Sequence, residues 1–243
     1  MIAIKNYTEP EEYSLENEVH PLMPKHPFRL LIVGSSGSGK TNLLLNLIYD
    51  YLDFDNLYLC AKDIYEPKYV KLRENYTQFD SIDMRDIETL VIKNSERKFL
   101  KQMFEKFKKH EVLFSTNLSD MIHVDDLDSR YKNLVIFDDC VSIKDQSKIN
   151  DFFLRGRKKN ASVIYLSQSY YSTPLDLRKN CNYFIFFKLQ PREIKQILRE
   201  IDGSLDTRQF TRLYEEAIQK PYDFFMLDLV DPRMKYRRNF VPL

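Results

Sequence analysis

Hydrophobic positions along this chain fall into short, nearly continuous runs separated by longer stretches with helical spacing. The runs are Phe28 to Val33, Asn56 to Ala61, Asn133 to Cys140, Ala161 to Leu166, Asn182 to Lys188 and Tyr222 to Leu229. Runs this short, with few polar interruptions, predict strands covered on both faces, as in a parallel sheet. Between them apolar residues recur every three or four positions. Thr41 to Tyr51 sets Leu44, Leu45, Leu47 and Ile48 on one side, and Ser95 to His110 does the same with Phe99, Met103, Phe104 and Phe107, an aromatic stripe read as core. Asp145 to Lys159 turns Ile149, Phe152, Phe153 and Leu154 inward. Pro191 to Ile201 opens with proline in its first turn, and Thr207 to Gln219 stops before Pro221. Lys62 to Met84 is polar and weakly periodic, with a helix predicted only over Pro67 to Asn75. Glu111 to Arg130 reads as irregular, and Leu177 to Cys181 simply leads into the next strand. Strands alternating with helices predict a three-layer α/β/α domain around a mainly parallel sheet, with its ligand at the strands' carboxyl ends.

Three segments follow from the same pattern. Residues 1–27, with Pro10, Pro21, Pro24 and Pro27 among acids, read as an extended N-terminal arm. Residues 28–230 form the α/β domain, and residues 231–243 a basic, loop-like tail. With 43% hydrophobic and 30% charged residues, the 243-residue chain has the make-up of a globular domain. No apolar run is long enough for a membrane-spanning helix, and the first residues lack a basic-then-apolar leader, so no membrane insertion is expected. Cys60, Cys140 and Cys181 have the spacing of neither a disulfide framework nor a zinc site, which predicts a reducing compartment. Net charge is only +1, but cations cluster at Lys106 to His110, Arg155 to Lys159 and Arg233 to Arg238. The first cluster, ending an amphipathic helix, reads as a solvated face suited to the helix dipole.

The chemistry begins after the first strand. Gly34-Ser35-Ser36-Gly37-Ser38-Gly39-Lys40-Thr41 fits G-x-x-x-x-G-K-[ST], the phosphate-binding P-loop, and it opens an apolar helix. Three of the chain's five glycines lie within it, where positive φ and the lack of a Cβ let backbone N–H groups face a phosphate. The cradle predicted for a nucleoside triphosphate runs from Gly34 to Asn42, with Gly34, Ser35, Ser36, Gly37, Ser38, Gly39, Lys40, Thr41 and Asn42 as binding residues. Lys40 is placed on the β- and γ-phosphates and Thr41 on Mg²⁺.

The second informative run, Leu134 to Phe137, delivers Asp138 and Asp139 to a strand's end, a Walker B pattern. Asp138 is expected to hold Mg²⁺ through a bound water, and Asp139 to orient or deprotonate the attacking water. The next strand ends in Ser167-Gln168-Ser169, making Gln168 the candidate sensor of the γ-phosphate. A site open at a subunit edge needs a cation on the developing phosphate charge. Arg155 and Arg157 are the candidates ranked first, ahead of Arg178. A whole strand between the P-loop strand and the Walker B strand points to the RecA-like (ASCE) division of P-loop NTPases.

Four blocks in order, LLIVGSSGSGKTNLL, LVIFDDC, FFLRGRKKNASVIYLSQSY and LRKNCNYFIFFK, resemble the genome-packaging ATPases of large DNA viruses and virophages, within the FtsK–HerA superfamily. The resemblance covers much of the span from Phe28 to Lys188. It implies a homo-oligomeric ring, pentameric or hexameric, that hydrolyses ATP with Mg²⁺. Such a ring drives double-stranded DNA into a preformed capsid, working with a capsid or portal-vertex protein. The setting implied is the host-cell cytoplasm at the site of viral assembly, or association with the virion. Two departures stand out: Asp138-Asp139 replaces the Asp-Glu of many relatives, and Lys158 stands where histidine is common. A small-molecule kinase is the alternative, without an evident arginine-bearing lid. A nucleotide-bound, non-hydrolysing assembly scaffold is the other, although it has no need of both carboxylates.

Overall fold

The computed structural model of the protein describes residues 22–78, 82–201 and 205–243. Its strands are β1 (Arg29–Val33), β2 (Asn56–Ala61), β3 (Glu111–Ser115), β4 (Asn133–Asp138), β5 (Ala161–Ser167), β6 (Tyr183–Phe186), β7 (Phe225–Asp228), β8 (Tyr236–Arg238) and β9 (Val241–Pro242). Among the described residues they form one sheet in the order β3-β2-β4-β5-β1-β6-β7-β8-β9. Pairing is parallel from β3 to β6 and antiparallel from β6 to β9. In the sheet it is β5 that lies between the P-loop strand β1 and the Walker B strand β4, the arrangement expected of the RecA-like division.

Helices α1 (Lys40–Asn46), α2 (Pro67–Thr77), α3 (Met84–Thr89), α4 (Asn94–Phe107), α5 (Ser147–Arg155), α6 (Leu175–Asn180), α7 (Pro191–Ile201) and α8 (Thr207–Ala217) flank it. Side chains alternate across each strand. Leu30, Ile32, Leu134, Ile136 and Ile164 pack with Leu44, Tyr69, Leu72 and Phe107 from α1, α2 and α4. Leu31, Val33, Val135, Phe137 and Tyr165 pack on the other face with residues of α5 to α8, among them Phe152, Leu177, Ile197 and Phe210. All seven positions of β5 are buried, which accounts for its unbroken apolar run. The three predicted layers are present.

Several expectations need correction. Glu111–Ser115 is a strand, not irregular chain; as the sheet's edge it is only half covered, so it lacks the continuous apolar run of its neighbours. Met84–Thr89 and Leu175–Asn180 are short helices that no periodic pattern announces. The tail is not loop-like. Its Arg237 is 2% exposed, pairs with buried Asp228 and donates to Leu22 O at 2.5 Å, so β8 and β9 extend the sheet. The aromatic stripe of α4 is core from Met103 onward, with Phe107 buried and Met103 and Phe104 packed against the core, while Phe99 is 51% exposed. The basic cluster after it is not a solvated face either. Lys106 is buried, and Lys109 folds over Phe54, 4.3 Å from the ring centre, where burial lowers its pKa to about 8. The proposed arm up to residue 21 lies outside the described residues.

Candidate active site

A cavity of about 700 Å³ opens where β1, β4 and β5 end. The predicted cradle shapes its floor. Gly37 and Gly39 have φ of 74° and 104°, values that a side chain strains to adopt. Gly34 is needed for space: a Cβ there would meet Ser38 Oγ at 2.6 Å and Phe187 Cβ at 2.7 Å. Ser36, Gly37, Gly39, Lys40, Thr41 and Asn42 line the cavity, whereas Gly34, Ser35 and Ser38 shape the loop from behind. The N-terminus of α1 has no side-chain cap and no acid in its first turn, leaving its positive end to the cradle. The Lys40 ammonium donates to Gly34 O at 2.6 Å and Ser35 O at 2.9 Å. Burial lowers its pKa, while the nearby charges of Asp138 and Asp139 push it up.

Asp138 and Asp139 arrive on the same cavity from β4. Burial raises the pKa of Asp138, and a hydrogen bond from the Tyr69 hydroxyl lowers it. Tyr69 itself is 1% exposed, and its hydroxyl also engages Thr41, so burial and the Asp138 charge keep it firmly protonated. A hydroxyl oxygen and a carboxylate oxygen thus converge around one phenol. This hard-oxygen set fits Mg²⁺, which takes one or two protein ligands and fills its shell with phosphate and water. Among the described residues no cluster of three His, Cys, Asp or Glu side chains competes as a metal site.

Asp139 has φ of 52°, turning its carboxylate off the strand line. There it accepts a 3.2 Å hydrogen bond from Gln168 Nε2, which comes from the end of β5. The structure therefore brings together Lys40, Thr41, Asp138, Asp139 and Gln168. Asp139 and Gln168 are joined directly, which the sequence placed on adjacent predicted strands without linking them.

The arginines lie elsewhere. Arg155 ends α5 and Arg157 follows in the turn before β5, at the amino end of the strand whose carboxyl end carries Gln168. At about 3.3 Å per residue, the seven-residue strand separates the two ends by roughly 20 Å. Arg155 is held by Asp125 at 2.7 Å and Asp151 at 3.0 Å, while Arg157 and Lys158 are exposed. Arg178 is buried, bonded to Tyr170 O and to Glu200, with its guanidinium 4.5 Å from the Tyr170 ring centre. None of the three reaches the cavity of its own chain.

Several contributors escaped the sequence reading. Glu66, the N-cap of α2, lines the cavity, and Tyr69 of α2 stands behind it, bonded to Asp138. Phe187 and Tyr222 close the cavity on the β6–β7 side, with Tyr222 Cδ1 3.2 Å from where a Gly39 Cβ would stand. Tyr69 falls within the helix predicted over Pro67 to Asn75, but nothing in its spacing marks it for the site.

The chain matches the family model described as Poxvirus A32 protein over residues 19–214, a span that stops short of Tyr222. It is 28% identical over 203 residues to DNA packaging protein OPG160 of monkeypox virus, covering 82% of this chain and 58% of that protein. Against the protein of the same name from vaccinia virus (strain Copenhagen) it is 28% identical over 202 residues, covering 81% and 64%. The chain thus spans about three fifths of the length of these relatives. Among solved structures, the genome packaging NTPase B204 from Sulfolobus turreted icosahedral virus 2, in complex with ATP-gammaS, aligns with a TM-score of 0.51. At 13% identity over 86% of this chain and 95% of that one, the likeness is one of fold.

Proposed function

This chain belongs to the poxvirus A32 protein family, and from that premise we propose that it is an ATP-hydrolysing motor that moves double-stranded DNA into a viral capsid. The observation that carries the hydrolytic part is the Gln168–Asp139 bond at the mouth of the P-loop cavity. A protein that only binds nucleotide needs the cradle; it has no use for a second carboxylate held beside the γ-phosphate position by an amide from the next strand. In this reading Lys40 and the backbone N–H groups of Gly37 to Thr41 bind the β- and γ-phosphates. Thr41 and Asp138, the latter through water, would hold Mg²⁺, which would supply positive charge against the triphosphate. Asp139 takes the proton of the attacking water, and Gln168 orients both that water and the carboxylate.

DNA as the cargo is supported by the names of the relatives, DNA packaging proteins of poxviruses. The motor works as a homo-oligomeric ring against a capsid or portal-vertex protein at the cytoplasmic assembly site. Arg155 and Arg157, roughly 20 Å from their own chain's cavity by strand length, act there on the neighbouring subunit's γ-phosphate. The test is orthophosphate release with and without long double-stranded DNA, with Lys40→Ala as the blank. DNA is expected to stimulate release several-fold, in a manner that fades as salt rises. Release that is indifferent to DNA in a confirmed oligomer overturns the reading.

A further inference from the structure

The wall of the cavity opposite Asp138 and Asp139 is built by residues that phosphate chemistry does not use. Pro221, Tyr222, Asp223 and Phe224 come from the turn before β7, and Asn239 from the turn after β8. Tyr222 is the unusual member. It is 70% exposed, although it is large and apolar, and its φ is 67°, a conformation costly for a bulky side chain. Strain of this kind persists only where the surroundings impose it.

Here the surroundings are a polar brace. Asn239, itself at φ 55°, accepts from Phe224 N at 3.0 Å and donates to Asp223 Oδ1 at 3.2 Å. Arg238 donates to Asp223 Oδ2 at 2.7 Å, and Lys220 N donates to the same oxygen at 3.0 Å. The brace fixes an exposed aromatic ring beside Gly39, where the cradle gives way to open cavity.

We propose that Tyr222 is the platform on which the base of the bound nucleotide stacks. The proposal rests on the reading of the cavity as a triphosphate site. With the phosphates along Gly37 to Thr41, the ribose and base must leave the cradle, and on this side the ring is what they meet. A π-face stacks on any base. The polar groups that would read a base edge, on Asp223 and Asn239, are already bonded to each other, to Arg238 and to the turn. The platform therefore supplies affinity with little choice of base, and ATP and GTP should bind within a few-fold of each other.

Calorimetric titration with ATP, GTP and inorganic tripolyphosphate tests this on the full chain and on Tyr222→Ala, Tyr222→Phe and Lys40→Ala. The expected result is about ten-fold weaker ATP binding in Tyr222→Ala. Tripolyphosphate binding stays unchanged there, which also certifies the fold, and Tyr222→Phe binds ATP as the parent does. An equal loss for ATP and tripolyphosphate in Tyr222→Ala, or no loss for either, overturns the platform. So does a parent that binds ATP no better than tripolyphosphate, or one that strongly separates ATP from GTP. Failure of the triphosphate reading itself looks different, because Lys40→Ala then leaves tripolyphosphate binding as it was. Failure of the motor reading shows only as missing DNA stimulation.

Discussion

The parallel strands β4, β5 and β1 and the antiparallel flank β7–β9 reach the same cavity by different routes. In the parallel part every contribution stands at a strand's carboxyl end, and neighbouring strands end at the same level: Val33 pairs with Ser167, and Asp138 with Leu166. Backbone pairing alone therefore gathers the cradle, the two acids and Gln168. In the flank the strands alternate, β7 and β9 running against β1 and β8 running with it, and what reaches the cavity is a pair of turns, around Tyr222 before β7 and Asn239 after β8. These are placed by side-chain bonds. The difference teaches that the P-loop end is fixed by the sheet, and the outer wall by a small set of polar contacts.

Removing the proposed proton acceptor, Asp139, from the parallel part is expected to have the largest effect. Asp139→Asn keeps the hydrogen-bonding shape and loses the base, so kcat should fall by about 10²–10⁴-fold with KM nearly unchanged. A fall in affinity of the same size would show that Asp139 binds nucleotide, and would break the division of labour. Next comes the flank. Arg237→Ala leaves Asp228 buried without its cation, which costs about 3–5 kcal/mol of stability in chemical denaturation. Under mild conditions nucleotide affinity should suffer more than kcat, since the flank and its turns loosen while β1, β4 and β5 keep their register. The smallest effect is expected at the far end of β5. Arg155 pairs with two partly exposed acids, so Arg155→Ala should cost about 0.2–1 kcal/mol in a melt. Turnover of the isolated subunit should stay at the parent level and fall only in the assembled ring. A loss in the isolated subunit would sink the assignment of Arg155 to the neighbour's site.

The same contrast decides what was legible beforehand. The cradle is contiguous, from Gly34 to Asn42, and its residue types are dictated by backbone geometry, so nine letters suffice to find it. Asp138, Asp139 and Gln168 are each visible because a buried strand ends in a polar residue. Their mutual bond needs the order of strands in the sheet. Tyr222 reads only as the first residue of the last strand, whereas β7 begins at Phe225 and leaves it in the turn. It follows a proline in a turn, and it reaches Gly39 because residues 225–228 pair with residues 183–186. β8 reads as loop in the sequence for a related reason. Its sequence, Tyr-Arg-Arg, has the charge of a surface, but Arg237 is neutralised within by Asp228. Arg155 shows the limit from the other side: the residue type was visible and its partners, Asp125 and Asp151, were not.

The backbone at Asp139 bears on the substitution of aspartate for the glutamate common among resembling ATPases. A left-handed residue costs roughly 1–2 kcal/mol for most L-amino acids, and aspartate is among the few side chains that tolerate it by bonding locally. The Gln168 amide is also set at the reach of the shorter acid, and an added methylene would carry the carboxylate about 1.5 Å past it. Two unrelated constraints, one of the chain and one of the partner, thus favour aspartate over the longer homologue. In this protein the choice of acid is made by the turn that presents it, and a single swap toward the commoner residue would have to remodel that turn before it could help the water.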